Sequence, residues 1–169
     1  MARINMIFDS RFKNKWLNYI AQSTMAAFAI LLALVTLRQQ NLVVAASLAA
    51  TAFTIFIMPH SITASMRNVV GGYIIAIIFG SLFAIIPIKS IIGQDIIYAV
   101  AVGCSMFLMA VTNTEHPPAA GTTLGILIDG FSSQIIIGIA LGVGVLTIVH
   151  WLLKPILLDL IASIEKSKV

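Results

Sequence analysis

Between Leu17 and Leu153 the chain is a succession of apolar runs separated by short polar gaps. The formal charges in that stretch fall in the gaps, at Arg38, Arg67, Lys89, Asp95, Glu115 and Asp129. This pattern excludes most folds. A helix needs about 20 apolar residues to cross a bilayer, and several runs here reach that length. Soluble domains carry about 25% charged residues, whereas this chain has 9% charged and 60% hydrophobic residues. The expectation is an all-α fold, a polytopic transmembrane helical bundle of about six membrane-embedded helices. Residues 1–169 form a single integral membrane domain whose main partner is the lipid bilayer. The net charge of +4 comes mostly from the ends and reads as topology rather than nucleic-acid binding. The single cysteine, Cys104, excludes an intrachain disulfide.

Residues 1–16 are a basic segment, with Arg3, Arg11, Lys13 and Lys15 against Asp9, and are expected to be cytoplasmic. Trp16–Leu37 has no small-residue cleavage site, so it reads as a first transmembrane helix rather than a signal peptide. Leu17–Leu37 goes out, Arg38–Asn41 turns, and Leu42–Met58 returns, rich in Ala, Ser and Thr and suited to close helix packing. After the loop Pro59–Arg67, Asn68–Pro87 goes out again. Lys89–Asp95 is a second outer turn, and Ile96–Val111 comes in. Pro117–Ile128 is only about 18 Å long at 1.5 Å per residue, short for a crossing. Asp129–Ser133 turns, and Gln134–Leu153 is full length. If the short helix does not cross, four or five spans remain, and five would put Lys154, Lys166 and Lys168 outside; six place them on the side of the N-terminal cluster, and the positive-inside tendency favours an even count. The expected location is a bacterial inner membrane or its equivalent, with the C-terminal segment 154–169 lying at the interface as a short helix opened by Pro155.

The least apolar interior stretch is Thr112–Leu124, TNTEHPPAAGTTL. A proline disfavours helix in the residue before it and is well placed in a first helical turn. Pro117 and Pro118 therefore predict helix, polar break, helix, with His116 near the N-cap. A helix N-terminus carries partial positive charge and free N–H groups, which suit an anion. Leu42–Arg67 and Ile96–Gly121 share one plan: an apolar helix, a polar break with Pro, His and Thr, and a new helix start. If this is a structural repeat, the two breaks face each other from the same membrane side, as at the interrupted helices of transporters.

Two motifs also carry a family resemblance. Thr112, Thr114, His116, Pro117, Pro118 and Ala119 form TxTxHPPA, and Arg67, Asn68, Gly71 and Gly72 form RNxxGG about 50 residues earlier. Together they resemble the HPP family of integral membrane proteins, over most of the chain from Leu17 to about Leu153. Met66 stands where the family pattern has Pro, and Tyr73 where it has His, which leaves open whether a polar side chain at position 73 belongs to the site. The resemblance implies a membrane transporter, with nitrite as substrate because photosynthetic members are associated with nitrite movement.

Several side chains are candidates for binding a small monovalent anion. Arg67 opens a helix, so its charge and the helix N-terminus add; it reads either as an anion-attracting group or as a positive anchor at the interface. Asn68 can donate a hydrogen bond, and Gly71 and Gly72 permit close approach or tight helix packing. His116 can cap the short helix, donate to an anion, or titrate near neutral pH. Glu115 can pair with Arg67, carry a proton coupled to transport, or face water. Asn113, Thr114 and Thr122 offer an amide and hydroxyls to a partly dehydrated anion, or serve as caps and back-bonded helix residues. His60 reads as a loop residue, and His150 beside Trp151 as part of an interfacial belt. Gly138, Gly142 and Gly144 read as a packing face.

The chain has no GxSxG, HExxH or Walker loop, and Glu115 and His116 are adjacent, about 100° apart on a helix. An enzyme, a metal and a cofactor are not expected. The reading is a transporter or channel for a small monovalent anion, assembled as a homo-oligomer because one copy is small. The alternative is a non-transporting membrane module, such as a partner subunit or sensor anchor. A third reading, less favoured, is a cation or proton path through Glu115 and His116.

Overall fold

The computed structural model describes residues 12–37 and 42–161. The expected turn Arg38–Asn41 and the charges Arg3, Arg11, Lys166 and Lys168 lie outside the described residues. Six α-helices and no strand form the described part: α1 (Phe12–Leu37), α2 (Leu42–Ile57), α3 (Met66–Ala84), α4 (Ile91–Val111), α5 (Pro117–Asp129) and α6 (Ser133–Leu153). Four of them, α1, α3, α4 and α6, are long and apolar enough to cross a membrane. The outward surface is aliphatic and aromatic, with Val100, Phe107 and Val111 of α4 and Ile137, Leu141 and Ile148 of α6 exposed. Such a surface is tolerated in hydrocarbon and not in water.

The helix ends sort onto two sides. On the near side α1 begins, α2 and α4 end, α3 begins, and the chain after α6 arrives. Tyr19 hydroxyl donates to the Leu160 carbonyl (2.9 Å), and Leu160 N–H donates to the Ile57 carbonyl (3.0 Å). On the far side, the end of α3, the start of α4 and the end of α5 meet around one cavity lined by Phe83, Ile88, Gln94 and Leu127. The expected even count of elements therefore holds, and the short helix α5 does reach the far side. Its starting level is what is unusual. His116 lies opposite Thr51 and Tyr73, six residues before the end of α2 and seven after the start of α3. At 1.5 Å per residue that is about 10 Å inside the near-side helix ends.

α5 packs at the centre, against α2, α3 and α4, while α1 and α6 pair on the other side of α2. Small residues make this possible. A Cβ at Gly125 would lie 2.8 Å from Val44 of α2, and one at Gly80 would lie 2.9 Å from Ile126 of α5. Gly142 meets Leu48 and Ala33, so this part of the glycine face packs within the chain, whereas Gly144 has nothing within 4 Å.

Several boundaries differ from the sequence expectation: α1 already begins at Phe12 and α3 ends at Ala84, before Pro87. α3 starts at Met66 because Ser65 caps it, its Oγ accepting the Asn68 N–H (3.3 Å). α4 starts at Ile91, inside the expected turn, because Ser90 Oγ accepts the Gly93 N–H (3.0 Å). The C-terminal segment is not an interfacial helix over its described part. One 3-10 turn, Lys154–Ile156, leads into extended chain. Gln22, 2% exposed on α1, holds that chain with both ends of its amide: Oε1 accepts from Leu158 N–H (3.2 Å) and Nε2 donates to the Leu158 carbonyl (2.9 Å). With the Leu158 N–H on Gln22 and the Leu160 N–H on the Ile57 carbonyl, those two donors are not available to a helix of the tail.

Candidate functional site

α4 ends in a Schellman arrangement. Thr114 N–H reaches back to the Met109 carbonyl (2.9 Å) and Asn113 N–H to the Ala110 carbonyl (3.2 Å), and Asn113 takes the left-handed conformation at φ 52°. The reversal brings Thr112–His116 down along the first two turns of α3. Gly71 and Gly72 are what let it in: a Cβ at Gly71 would stand 2.7 Å from Thr114 Cγ2, and one at Gly72 would stand 2.8 Å from His116 Cβ. The RNxxGG and HPP segments are thus the two faces of one contact.

The contact is also bonded. Asn68 Nδ2 donates to the Glu115 carbonyl (3.0 Å) and lies 3.5 Å from Glu115 Oε2. Ser65 Oγ donates to Asn68 Oδ1 (2.8 Å), which fixes the amide. Arg67 is exposed at the near side, and its Nη2 donates to the Thr112 carbonyl (2.9 Å). That carbonyl belongs to the C-cap of α4, where a cation is favoured by the helix dipole. Glu115 is half-buried; no ion pair joins it to Arg67 among the described residues. Asn113 is exposed beside Arg67. Thr114 is buried, its hydroxyl 2.8 Å from that of Thr112.

Deeper in lies a cluster built from three helices and a turn. His116 is fully buried. Its Nδ1 is 2.8 Å from the Thr63 carbonyl of the 3-10 turn Ile62–Ala64, and its Nε2 is 2.9 Å from Thr51 Oγ1 of α2. Thr51 Oγ1 is also 2.8 Å from the Tyr73 hydroxyl of α3. Ser47 of α2 donates to the Pro118 carbonyl and lies 2.6 Å from Thr122 Oγ1 of α5. The Ser47 and Tyr73 oxygens are 3.3 Å apart. An apolar groove of about 290 Å³ between α3 and α6 meets this cluster at Tyr73.

The predicted residues therefore separate into layers. Arg67 and Asn113 lie at the surface, Asn68, Gly71, Gly72, Thr114 and Glu115 line the seam, and His116 and Thr122 reach the buried cluster. The start of α5 offers fewer free N–H groups than a helix N-terminus usually does. Pro117 and Pro118 have none, and Ala119 N–H is bonded to the His116 carbonyl (2.9 Å). The position left open by the family comparison, Tyr73, contributes its hydroxyl to the cluster.

Ser47 and Thr51 are site residues that sequence reasoning missed. The available signal was the spacing of Ser47, Thr51 and Thr54, which puts three hydroxyls on one face of an otherwise apolar helix. His150 was expected at an interface. Instead it is 4% exposed, its ring turned to the Ile55 backbone of α2, while Trp151 faces outward. His60 sits in the near-side loop, its backbone N–H donating to Asp159 Oδ1 (3.1 Å).

A family model describing the HPP transmembrane region matches residues 12–160. Two curated proteins of Dictyostelium discoideum, each named as a transmembrane protein, are similar. One is 32% identical over 114 residues, covering 64% of this chain and 40% of the relative. The other is 31% identical over 90 residues, covering 53% and 29%. The chain spans less than half the length of these curated relatives. No solved structure matches.

Proposed function

Because the chain belongs to the HPP transmembrane family, we propose that it transports a small monovalent anion across the membrane, with nitrite the favoured substrate. The observation that carries the reading is the meeting of two polar breaks about 10 Å inside a bundle with an apolar surface, around a fully buried histidine and four hydroxyls. An ionisable side chain at membrane depth is costly and is by default a candidate for a transport pathway. The family resemblance implies transport, and nitrite follows from it alone.

In this reading Arg67 draws the anion to the near side, and Asn68 and the seam residues Thr114 and Glu115 border its way in. Thr122 and His116 receive it in the bundle. Uncharged hydroxyl donors suit a partly dehydrated monovalent anion better than a second fixed charge, which would hold it too tightly to release. In this reading the near side is cytoplasmic, because the basic N-terminal segment precedes α1 in the sequence. Copies of the chain assemble to enclose the path, which a mass measurement in detergent tests.

The alternative, a non-transporting membrane module, draws on one observation. The cluster hydroxyls bond to one another or to backbone within the chain, and Arg67 already caps α4. Uptake into proteoliposomes separates the two. Nitrite, nitrate, formate and chloride are offered with and without a pH gradient. Saturable nitrite uptake that Arg67→Gln reduces roughly tenfold at low ionic strength, and less in high salt, is the expected result. Folded, inserted protein that moves no anion leaves the module reading in place.

A further inference from the structure

The surroundings of His116 fix its hydrogen. Thr63 presents a carbonyl, which can only accept, so Nδ1 carries the hydrogen and donates at 2.8 Å. In the neutral ring Nε2 is then a lone pair, and the Thr51 hydroxyl at 2.9 Å donates to it. Thr51 has a single hydrogen and a second acceptor for it. The Ser47 carbonyl, one turn back on α2, lies 3.2 Å from Thr51 Oγ1. The Tyr73 hydroxyl donates to the same oxygen at 2.8 Å in either case.

Turning one hydroxyl hydrogen from Nε2 to the Ser47 carbonyl therefore changes Thr51 from donor to acceptor with no heavy atom displaced. We propose that Thr51 is the positioning residue that lets His116 take up and release a proton at Nε2 inside the bundle, so that His116 rather than Glu115 carries the proton of a coupled transport cycle. The coupling half of this rests on the transport reading above. The step is balanced as written. A proton from hydronium, which leaves as water, adds to the Nε2 lone pair and gives an imidazolium; its new N–H donates to Thr51 Oγ1, whose own hydrogen now points to Ser47. Release reverses each bond.

The groups around the ring favour this assignment. α2 and the turn Ile62–Ala64 present hydroxyls and carbonyls and no charged side chain. α5 carries only Asp129, at its far end. α3 presents Tyr73, whose ring centroid is 5.7 Å from that of His116, within the range at which an aromatic face attracts a cation. Arg67 at the start of α3 is turned to the Thr112 carbonyl, and Glu115 lies toward Asn68. A proton on His116 thus meets the Thr63 carbonyl, the Thr51 hydroxyl oxygen and an aromatic ring, and no cation is bonded to the ring.

The test reads the imidazole directly. Full-length protein with nitrogen-15 histidine in lipid nanodiscs is followed by NMR, and His116→Gln identifies the signals. The expected result is the Nδ1–H tautomer in mild alkali, passing to the doubly protonated ring on acidification. Thr51→Ser keeps this behaviour. Thr51→Val leaves the Thr63 bond in place but weakens proton binding roughly tenfold or more. An Nε2–H tautomer in the unmodified protein, or the same titration in Thr51→Val, overturns the proposal. Proteoliposome uptake on the same samples separates the two failures. Anion uptake with an unresponsive His116 removes the proton role and leaves transport standing. The expected titration with no uptake of any anion leaves the proton site and removes the coupling.

Discussion

The helices α3 and α5 each begin after a polar break, and they solve the start of a helix in opposite ways. At α3 the cap is local: Ser65 accepts the Asn68 N–H and bonds its side chain, so the first turn is satisfied by its own sequence. At α5 the capping position is His116, and its side chain makes no bond to the helix. Of the two N–H groups that a cap normally serves, Pro118 at the second helical position has none and that of Ala119 at the third is taken by the His116 carbonyl (2.9 Å). Both ring nitrogens are left for α2 and for the turn before α3. Two prolines after a histidine therefore do more than end a helix: they release the capping side chain to bind across the bundle. The first break supplies a carbonyl and a self-contained helix start, and the second supplies the titratable group.

This difference is open to measurement. His116→Ala empties a fully buried site and strands the Thr63 carbonyl, while the Thr51 hydroxyl keeps Ser47 and Tyr73, so a loss of about 2–5 kcal/mol is expected in thermal unfolding in detergent. Ser65→Ala removes a local cap and is expected to cost about 1 kcal/mol. Equal losses would mean that the ring is no more than a second cap. The seam is tested next. Gly72→Ala puts a Cβ 2.8 Å from His116 Cβ and 3.3 Å from the Thr114 carbonyl. Relieving that overlap is expected to cost about 1–3 kcal/mol. Gly103→Ala on α4 meets nothing within 4 Å and is expected to be neutral or stabilising by up to about 1 kcal/mol. A silent Gly72→Ala would show that the two motifs do not need to touch.

Much of this was legible in advance, for reasons that differ by level. Length and apolarity alone locate six helices, and the prolines locate the start of α5 to the residue. Local chemistry also foretells that the two breaks share a side, because an even number of elements separates them. What sequence spacing does not carry is which neighbour a polar side chain meets. Ser47 and Thr51 read as packing residues on α2, and they become the floor of the site only because Gly121 and Gly125 bring α5 against that face. Arg67 reads as a charge facing an open vestibule until the end of α4 arrives beneath it. His150 was misjudged by its neighbour Trp151, although its spacing from the buried Gly142 and Leu146 already sets it on the inner face of α6.

The smallest expected effect is the most discriminating for the second break. Asn113 is a candidate ligand by residue type, yet its backbone sits at φ 52°, where Asn and Gly are favoured and other residues are strained. Its N–H, not its amide, makes the bond that closes α4. If backbone geometry is its whole role, Asn113→Gly leaves stability within about 0.5 kcal/mol and leaves nitrite uptake unchanged. Asn113→Val then costs about 1–2 kcal/mol and affects uptake only in proportion to the folded protein lost. An Asn113→Gly protein that keeps its melting temperature but loses uptake reverses the assignment. The amide would then act on the substrate at the surface, and the break would hold two ligand contacts, one exposed beside Arg67 and one buried at His116.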